Sequence, residues 1–405
     1  MLLTTFITPI CILANWENIS GSNGLKYFLI SFLVLESLLI AVFVVLDILL
    51  FYVFFESVLI PLFLIVGIWG GSQKRVRAAY LLFLYTLFGS LFMLLGLLVI
   101  YYNVGSTDFR VVAASDITLD SQKLLWIGIF ISMAIKTPLA PVHIWLSRAH
   151  AEAPVGGSII LAGLILKLAT YGYMRIMLQF LPDASHYYAP IVQMIAAITV
   201  VYASLVTLRQ TDFKALIAYS SVGHMGIVVL GLFSNTVQGI EGAILLSIAH
   251  AFVSPALFIL VGSVLYDRFH TRTIRYYRGI TTYMPMFSVI FLLFTLFNMA
   301  IPLSGNWLGE LLVLTGVFQR NPIAAILGSS GIILSAAYSI WLYNRISFGS
   351  YSEYLNYPPQ GDLTRREFML LLPLLIITIL LGIFPNIVLD TIHSSVSTLI
   401  YTIPN

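Results

Sequence analysis

Four ionisable residues lie near the centres of long apolar runs of this chain, namely Glu56, Lys136, Lys167 and His250, and a fifth, Glu310, lies inside another run, past its interruption. A charged side chain at the middle of a bilayer costs about 2.5–3.5 kcal/mol on insertion scales, and such residues usually mark an ion pathway. A single buried lysine also fits a static ion pair that fixes helix packing. Because two lysines and two glutamates recur at similar depth, a functional role is favoured for the set.

These residue types suit proton transfer. Burial shifts the pKa of a lysine down and that of a carboxylic acid up, which brings both towards neutrality, and histidine titrates there already. A glutamate beside a lysine holds that lysine protonated, and losing or moving the negative charge lets the lysine release its proton. The set therefore predicts a proton relay that contains a glutamate–lysine switch.

Other polar residues allow two interpretations each. Glu36, central in its apolar run, fits a relay and a packing role equally well. His224 follows closely on tyrosine and serine residues and is better explained by packing or hydrogen bonding. His143, His150 and Glu152 lie near one end of a run, where they form either an entry funnel or a solvated loop.

The elements that must position these residues are transmembrane helices. A span needs about 20 apolar residues, and the loops between the apolar stretches are too short for a soluble domain. A shorter apolar stretch, 1–14, comes first. The predicted spans are 27–46, 48–69, 78–101, 123–147, 154–178, 188–208, 214–233, 240–265, 282–319, 323–345 and 367–388.

Two of the spans contain helix breakers. Pro138 and Pro141 interrupt 123–147, and we expect them to free the carbonyls of Ala134 and Thr137. Broken helices at membrane depth line cavities in transporters, so this break is a candidate part of the site.

The second break lies at 302–306 and divides the span 282–319 into two half-helices. Four spans separate the two breaks, which predicts two five-helix repeats, 27–178 and 188–345. They are inverted, since five crossings is an odd number. Outside them we expect 1–26 to be the remnant of a helix with its loop, and 346–405 to hold a loop, the last transmembrane helix and a tail.

The basic residues divide unequally between the two sets of loops. One set holds fourteen: Lys26, Lys74, Arg75, Arg77, Arg148, Arg209, Lys214, Arg268, Arg272, Arg275, Arg278, Arg345, Arg365 and Arg366. The other set holds four: Arg110, Lys123, Arg175 and Arg320. The positive-inside rule therefore places the first set in the cytoplasm or the mitochondrial matrix.

The composition excludes several classes of protein. The 405-residue chain is 60% hydrophobic and 9% charged, whereas soluble proteins carry about 25% charged residues, so the fold class is an all-α integral membrane bundle. The positive charge sits in short loops, which is not typical of nucleic-acid binding. The single cysteine, Cys11, cannot build a disulfide framework, a zinc site or an iron–sulfur cluster.

Six segments of the chain are recognisable, namely 50–61 (LFYVFFESVLIP), 136–146 (KTPLAPVHIWL), 150–158 (HAEAPVGGS), 167–173 (KLATYGY), 208–224 (LRQTDFKALIAYSSVGH) and 309–310 (GE). Through them, and over nearly its whole length, the chain closely resembles the subunit 4 family of mitochondrial NADH dehydrogenase, and it looks closer to plant, algal and fungal forms than to animal ones. An acidic residue at Glu310 points to this family, because sister antiporter-like subunits carry lysine there.

The resemblance implies an antiporter-like, proton-translocating subunit of the membrane arm of respiratory complex I, in the mitochondrial inner membrane. It implies that Glu56 approaches Lys136 and controls its proton affinity, and that Lys167, His250 and Glu310 follow as relay and exit groups. It also implies that NADH, FMN, iron–sulfur clusters and ubiquinone bind other subunits. The expected partners are other membrane-arm subunits, including neighbouring antiporter-like ones, and lipids.

The start of the chain departs from the family. The family has three helices before the span of Glu36, whereas only 1–14 precedes it here, so we expect a shortened or split gene, or a further N-terminal piece. Two other functions remain open. A subunit of a multisubunit cation/proton antiporter would lack cofactor-carrying partners, and a scaffold subunit would tolerate the loss of Lys136.

Overall fold

The computed structural model describes residues 1–16, 24–352, 354 and 361–401. Within these ranges nine helices are long and apolar enough to cross a membrane, and backbone pairing between extended residues is limited to two isolated bridges. The protein is thus an all-helical membrane bundle, as its composition predicts.

The helices, numbered in chain order, fall into full spans, shorter segments and two broken pairs. Their bounds are α1 Leu2–Ala14, α2 Leu25–Val44, α3 Ile48–Trp69, α4 Arg75–Val104, α5 Leu119–Lys136, α6 Ile144–Glu152, α7 Val155–Leu178, α8 Pro182–Leu208, α9 Phe213–Leu232, α10 Val237–Phe269, α11 Pro285–Asn298, α12 Gly305–Arg320, α13 Pro322–Ser347, α14 Arg365–Ile383 and α15 Asn386–Tyr401.

Each predicted span corresponds to one helix or to one broken pair, and the stretch 1–14 forms α1. The predicted end of the last span was wrong. The span 367–388 stops at Ile383, and after Pro385 the expected tail is a further helix, α15. Proline disfavours continuation of a helix, and the mixed polar composition of α15 hides it from a search for apolar runs.

The first break, between α5 and α6, retains its backbone hydrogen bonds by other routes. The carbonyl of Ala134 was expected to be free, but Leu139 N donates to it at 2.8 Å. The indole Nε1 of Trp145 donates to the carbonyl of Ile135 at 2.8 Å. Because a buried unpaired carbonyl is costly, these contacts let the helix stop next to Lys136.

The second break, between α11 and α12, is built from residues with unusual backbone angles. Ala300 and Leu303 have φ of 58° and 77°, a region that non-glycine residues seldom adopt. Ser304 then caps α12 by accepting from Trp307 N at 3.2 Å, and Asn306 Nδ2 donates to the carbonyl of Phe297 at 3.1 Å. The two half-helices predicted for this span are confirmed.

Three helices form the interior of the bundle. In the most apolar window of α7, α9 and α10, 94%, 83% and 89% of the residues are buried, against 50% or less in each of the other long spans. These three helices carry Lys167, His224 and His250. These three polar residues therefore lie where protein surrounds them.

The contact between α10 and α12 depends on glycine. A methyl group placed on Gly309 would lie 2.7 Å from the backbone nitrogen of Leu246, and one on Gly242 would lie 2.7 Å from Val313 N. Small residues allow such close backbone approach in membrane bundles. This contact sets the position of α12, and with it that of Glu310.

Loops predicted to share one side do lie together. Gly71 N donates to the carbonyl of Glu152 at 2.9 Å, Arg272 pairs with Glu152 at 3.4 Å and with Asp212 at 3.6 Å, and Arg268 lies 2.8 Å from Glu367. We call this side, with loops 70–75, 209–212 and 270–278, the Lys/Arg-rich end of the bundle.

Candidate functional site

Glu56 and Lys136 form a buried ion pair between α3 and α5. Lys136 is the last residue of α5, and its Nζ lies 3.2 Å from Glu56 Oε1. It also donates to the carbonyl of Phe55 at 2.8 Å and lies 3.2 Å from the centroid of the Phe55 ring. The side chains of Lys136 and Glu56 are 2% and 13% exposed. Among the described residues, Glu56 is the only carboxylate that pairs with Lys136.

Lys167 has different neighbours. Its Nζ donates to the carbonyl of Ala162 at 2.5 Å and lies 2.9 Å from His250 Nδ1 on α10. That carbonyl is accessible because α7 contains a π-helical segment, in which Leu166 N bonds five residues back to Leu161 O. A lysine held by a carbonyl and an imidazole, without a carboxylate, exchanges a proton with the imidazole more readily than an ion-paired lysine does.

His224 links His250 to Glu310. Its Nδ1 lies 2.9 Å from Glu310 Oε1, and its ring centroid lies 5.4 Å from that of His250. The sequence favoured packing or hydrogen bonding for His224, and it does form a hydrogen bond, but with a predicted relay residue. The structure thus brings Lys167, His250, His224 and Glu310 into one cluster, in which His250 and His224 are joined by a ring contact and not by a hydrogen bond.

The two parts of the site are separated by a gap. Within the described residues no hydrogen bond joins Lys136 to Lys167. One buried polar contact borders this gap, in which Thr137 Oγ1 donates to the hydroxyl of Tyr173 at 3.2 Å. Tyr173 belongs to the same helix as Lys167, so this contact points from the first pair towards the second.

The remaining candidates are placed apart. Glu36 is half-buried on α2, within electrostatic range of Cys11. His143 is buried at the start of α6, with its ring 5.3 Å from that of Tyr202. His150 is 0% exposed, so the interpretation of this residue as part of a solvated loop is wrong.

The sequence analysis missed three functional candidates, namely Lys214, Glu241 and His393. Lys214 was assigned to a loop, yet it is the second residue of α9 and is buried, with Nζ 3.2 Å from the carbonyl of Ala153. Glu241 of α10 lies 2.7 Å from His393 Nδ1 of α15. A signal for Lys214 was available in the sequence. Asp212 lies two residues before it, and aspartate is typical of a helix N-cap, so Lys214 could have been placed in the first turn of a helix.

The described residues contain no group of three or more His, Cys, Asp and Glu side chains that could hold a metal ion. The chemistry that the cluster itself supports is acid–base, because each of its members binds and releases protons.

Comparison with known proteins places the chain in a family. Residues 45–335 match the family model described as NADH:quinone oxidoreductase/Mrp antiporter, TM. The chain is 76% identical over 402 residues to NADH-ubiquinone oxidoreductase chain 4 of Mycosarcoma maydis, which covers 99% of this chain and 82% of the relative. It is 49% identical to the chain of that name from Marchantia polymorpha, with 99% and 80% covered.

Solved structures share the fold. A chain of respiratory complex I from Thermus thermophilus with bound NADH superposes with a TM-score of 0.89 at 29% identity, covering 100% of this chain and 85% of that one. A chain of the Mrp complex from Dietzia gives a TM-score of 0.85 at 20% identity, covering 98% and 82%. The second likeness concerns the fold alone.

Proposed function

The chain belongs to the NADH-ubiquinone oxidoreductase chain 4 family, and from that premise we propose that it carries protons across the membrane arm of respiratory complex I through Glu56, Lys136, Lys167, His250, His224 and Glu310. The observation that carries this proposal is the buried contact of Lys136 Nζ with Glu56 Oε1 at 3.2 Å. Ionisable residues at this depth are expensive and usually functional.

The pair acts as the switch. While Glu56 is ionised and in contact, it stabilises the ammonium form of Lys136. When the carboxylate is neutralised or moves away, a buried ammonium without a partner is unstable and releases its proton. The Oε2 atom of Glu56 has no hydrogen-bond partner among the described residues, so few contacts hold this carboxylate in place.

The released proton passes towards Lys167 and then through the cluster of His250, His224 and Glu310. Water is needed across the gap that Thr137 and Tyr173 border, and also between His250 and His224, whose Nε2 atoms have no hydrogen-bond partner among the described residues. Broken helices admit water at this depth. From Lys167 the contacts to His250 Nδ1 at 2.9 Å and from His224 to Glu310 at 2.9 Å are hydrogen bonds. Glu310 is the exit group, since α12 runs on to the end opposite the Lys/Arg-rich one.

The surroundings of the chain follow from its family. NADH, FMN, the iron–sulfur clusters and ubiquinone bind other subunits, and redox chemistry there drives the switch from a distance. The neighbours are other membrane-arm subunits, antiporter-like ones among them, and lipids. The membrane is the mitochondrial inner membrane, and the Lys/Arg-rich end faces the matrix. Tag accessibility at residues 268–278 in inside-out vesicles tests this orientation.

The helix order supports two inverted repeats of five spans. In α2 to α7 the fourth span is the broken pair α5 and α6, and in α8 to α13 the fourth span is the broken pair α11 and α12. Lys136 ends the first half of one pair, and Glu310 lies in the second half of the other. The two breaks thus take equivalent places at the two ends of the relay.

Glu56→Gln in the assembled complex tests the switch. Glutamine keeps the size and one hydrogen bond but cannot carry the charge. If Glu56 is a switch, the complex assembles in normal amounts while coupled NADH–quinone activity and proton transfer fall sharply. The exposed Asp116→Asn is the control and should change neither quantity.

A permanent structural pair predicts a different result, in which assembly falls together with pumping. A fully assembled Glu56→Gln or Lys136→Ala enzyme with normal turnover and a normal proton-to-electron ratio would overturn the proposal. Mass spectrometry of proteins that co-purify in mild detergent separates complex I from a cation/proton antiporter, because only the former brings subunits that bind FMN and iron–sulfur clusters.

A further inference from the structure

Helix α10 carries a row of contacts from the relay to the Lys/Arg-rich end. His250 touches Lys167. Eight residues after His250, the ring of Phe258 stacks on His150. Four residues further on, Gly262 lies next to Lys214. After four more, the ring of Tyr266 faces Lys214 and Arg272. At 1.5 Å per residue these sixteen residues span about 24 Å. The partners in the middle of this row are His150 and Lys214.

His150 is a buried imidazole without hydrogen bonds. Its ring stacks on Phe258 with centroids 4.8 Å apart and planes at 5°. It is 0% exposed, and neither Nδ1 nor Nε2 has a hydrogen-bond partner among the described residues. Lys167 and Lys214 both lie within electrostatic range of it. A buried polar group without hydrogen bonds needs an explanation. Stacking on Phe258 does not provide one, because a phenylalanine at position 150 would stack equally well.

Lys214 occupies the next step. It is 4% exposed, and a methyl group placed on Gly262 would lie 3.3 Å from its Cε. Its Nζ donates to the carbonyl of Ala153 at 3.2 Å, three residues from His150, and lies 5.6 Å from the centroid of the Tyr266 ring. No carboxylate pairs with it directly among the described residues.

Beyond Lys214 lies a charged surface cluster. Arg272 pairs with Glu152 at 3.4 Å and with Asp212 at 3.6 Å, and its guanidinium lies 6.0 Å from the Tyr266 ring. Ser72 donates to the second oxygen of Glu152. These groups lie at the Lys/Arg-rich end, where the side chains of Arg272 and Asp212 are 21% and 29% exposed, so protons in the aqueous phase reach them.

We propose that Lys214 and His150 form the inlet through which protons pass from the Lys/Arg-rich end to Lys167. This inference rests on the proposed function. Neither ring nitrogen of His150 has a hydrogen-bond partner among the described residues, so each transfer runs through an intervening water. Lys214 releases a proton from its ammonium to one ring nitrogen of neutral His150, and the other ring nitrogen gives its own proton to the neutral amine of Lys167. Lys214 is then reprotonated from the surface cluster. One proton moves inward, and His150 returns to its neutral form through its other tautomer.

His150→Phe tests the inlet most sharply. The variant keeps an aromatic ring on Phe258 and removes two unpartnered nitrogens, so a purely structural role predicts unchanged function. The inlet predicts normal assembly with proton uptake into proteoliposomes reduced by at least about tenfold, since a proton-transfer group is lost. His270→Asn is the control, because His270 is an exposed histidine of the same end. Wild-type uptake in His150→Phe would overturn the proposal.

Lys214→Arg gives an independent test should His150→Phe fail to assemble. Arginine keeps the positive charge and a donor for the carbonyl of Ala153 but does not release protons. The inlet predicts that Lys214→Arg loses as much proton uptake as Lys214→Met, whereas normal uptake in Lys214→Arg would overturn it. Lys136→Ala in the same assay separates the two proposals. Loss there with normal uptake in the inlet variants refutes the inlet alone, and normal uptake in Lys136→Ala refutes the relay itself.

Discussion

His224 Nδ1 lies 2.9 Å from Glu310 Oε1, and both side chains are 3% exposed. The contact joins the interior helix α9 to α12, five residues after α12 begins at the second break. A histidine and a glutamate at this distance form a hydrogen bond. In the proposed relay, this contact makes His224 the group through which Glu310 exchanges protons with His250 and Lys167.

Glu310→Gln should uncouple this exit without loosening the fold. The amide oxygen still accepts a hydrogen bond from His224, but the side chain no longer binds a proton at neutral pH. We expect normal amounts of assembled complex and a fall in proton transfer of about tenfold or more. Proton uptake and NADH oxidation measured on the same proteoliposomes decide, with Gln319→Glu at the end of α12 as a control that adds a carboxylate outside the cluster. Unchanged uptake in Glu310→Gln contradicts the exit role.

Trp145→Phe should destabilise the first break. It removes the indole donor from the carbonyl of Ile135, next to Lys136, and an unpaired buried carbonyl costs about 1–3 kcal/mol. We expect a lower melting temperature of the assembled complex and reduced turnover. Trp341→Phe, at a tryptophan that is 42% exposed, is the matched control, and an equal effect of both substitutions would show that the hydrogen bond is unimportant.

Hydropathy and the positions of the prolines were enough to predict the spans and both breaks. Whether a segment crosses the membrane, and where its helix is interrupted, depends mainly on residues that are close together in the sequence. The pairing of residues was not predictable in this way. His224 looked ordinary because its partner Glu310 is 86 residues away. Lys214 was assigned to a loop because it sits at the aqueous end of α9, yet Ala153 and Tyr266 cover it. His393 was not identified because α15 is only partly apolar and was not predicted as a helix.

Gly309→Ala should separate α10 from α12. The added methyl group would lie 2.7 Å from backbone atoms of Leu246, and overpacking of this kind costs about 1–3 kcal/mol. We expect less assembled complex and weaker proton transfer, since Glu310 moves with its helix. Gly67→Ala is the control, because its nearest neighbour, a methyl carbon of Ala79, would lie at an ordinary 3.6 Å. Normal assembly of Gly309→Ala would show that the helices can adjust.

Asp212 gives a pH-dependent prediction outside the spans. Burial raises the pKa of its carboxyl from the usual 3.8, and Arg272 and the backbone N–H groups of Lys214 and Ala215 offset this only in part. An acid whose pKa is raised on folding favours the folded state below its usual pKa, and this contribution is lost as the pH rises through the raised value. Asparagine in Asp212→Asn still caps α9. Because it does not ionise, the variant does not lose folding free energy as the pH rises through the raised pKa.

The measurement is the difference in melting temperature between Asp212→Asn and the wild-type complex, followed from about pH 4 to pH 7. We expect the difference to move in favour of the variant as the pH rises. The exposed Asp116→Asn serves as the control and should show no such trend. A difference that falls with rising pH would mean that Arg272 stabilises the carboxylate more than burial opposes it.

Glu241 and His393 should show a rescue in combination. Glu241 is 9% exposed, and its Oε1 lies 2.7 Å from His393 Nδ1, whose side chain is 66% exposed. His393→Ala leaves a mostly buried carboxylate without its partner, which costs more than the partly solvated pair contributes, about 1 kcal/mol. Glu241→Gln in the same chain removes that isolated charge. The double variant should therefore be more stable than His393→Ala alone.

Hydrogen exchange of α15 and the melting temperature of the complex measure this rescue. We expect faster exchange in α15 for His393→Ala and partial return towards wild type in the double variant, a non-additive pattern typical of residues in contact. His186→Ala, at an exposed histidine of α8, should affect neither quantity. Additive losses in the double variant would mean that Glu241 and His393 stabilise α15 independently, and that the 2.7 Å contact contributes nothing to its attachment to α10.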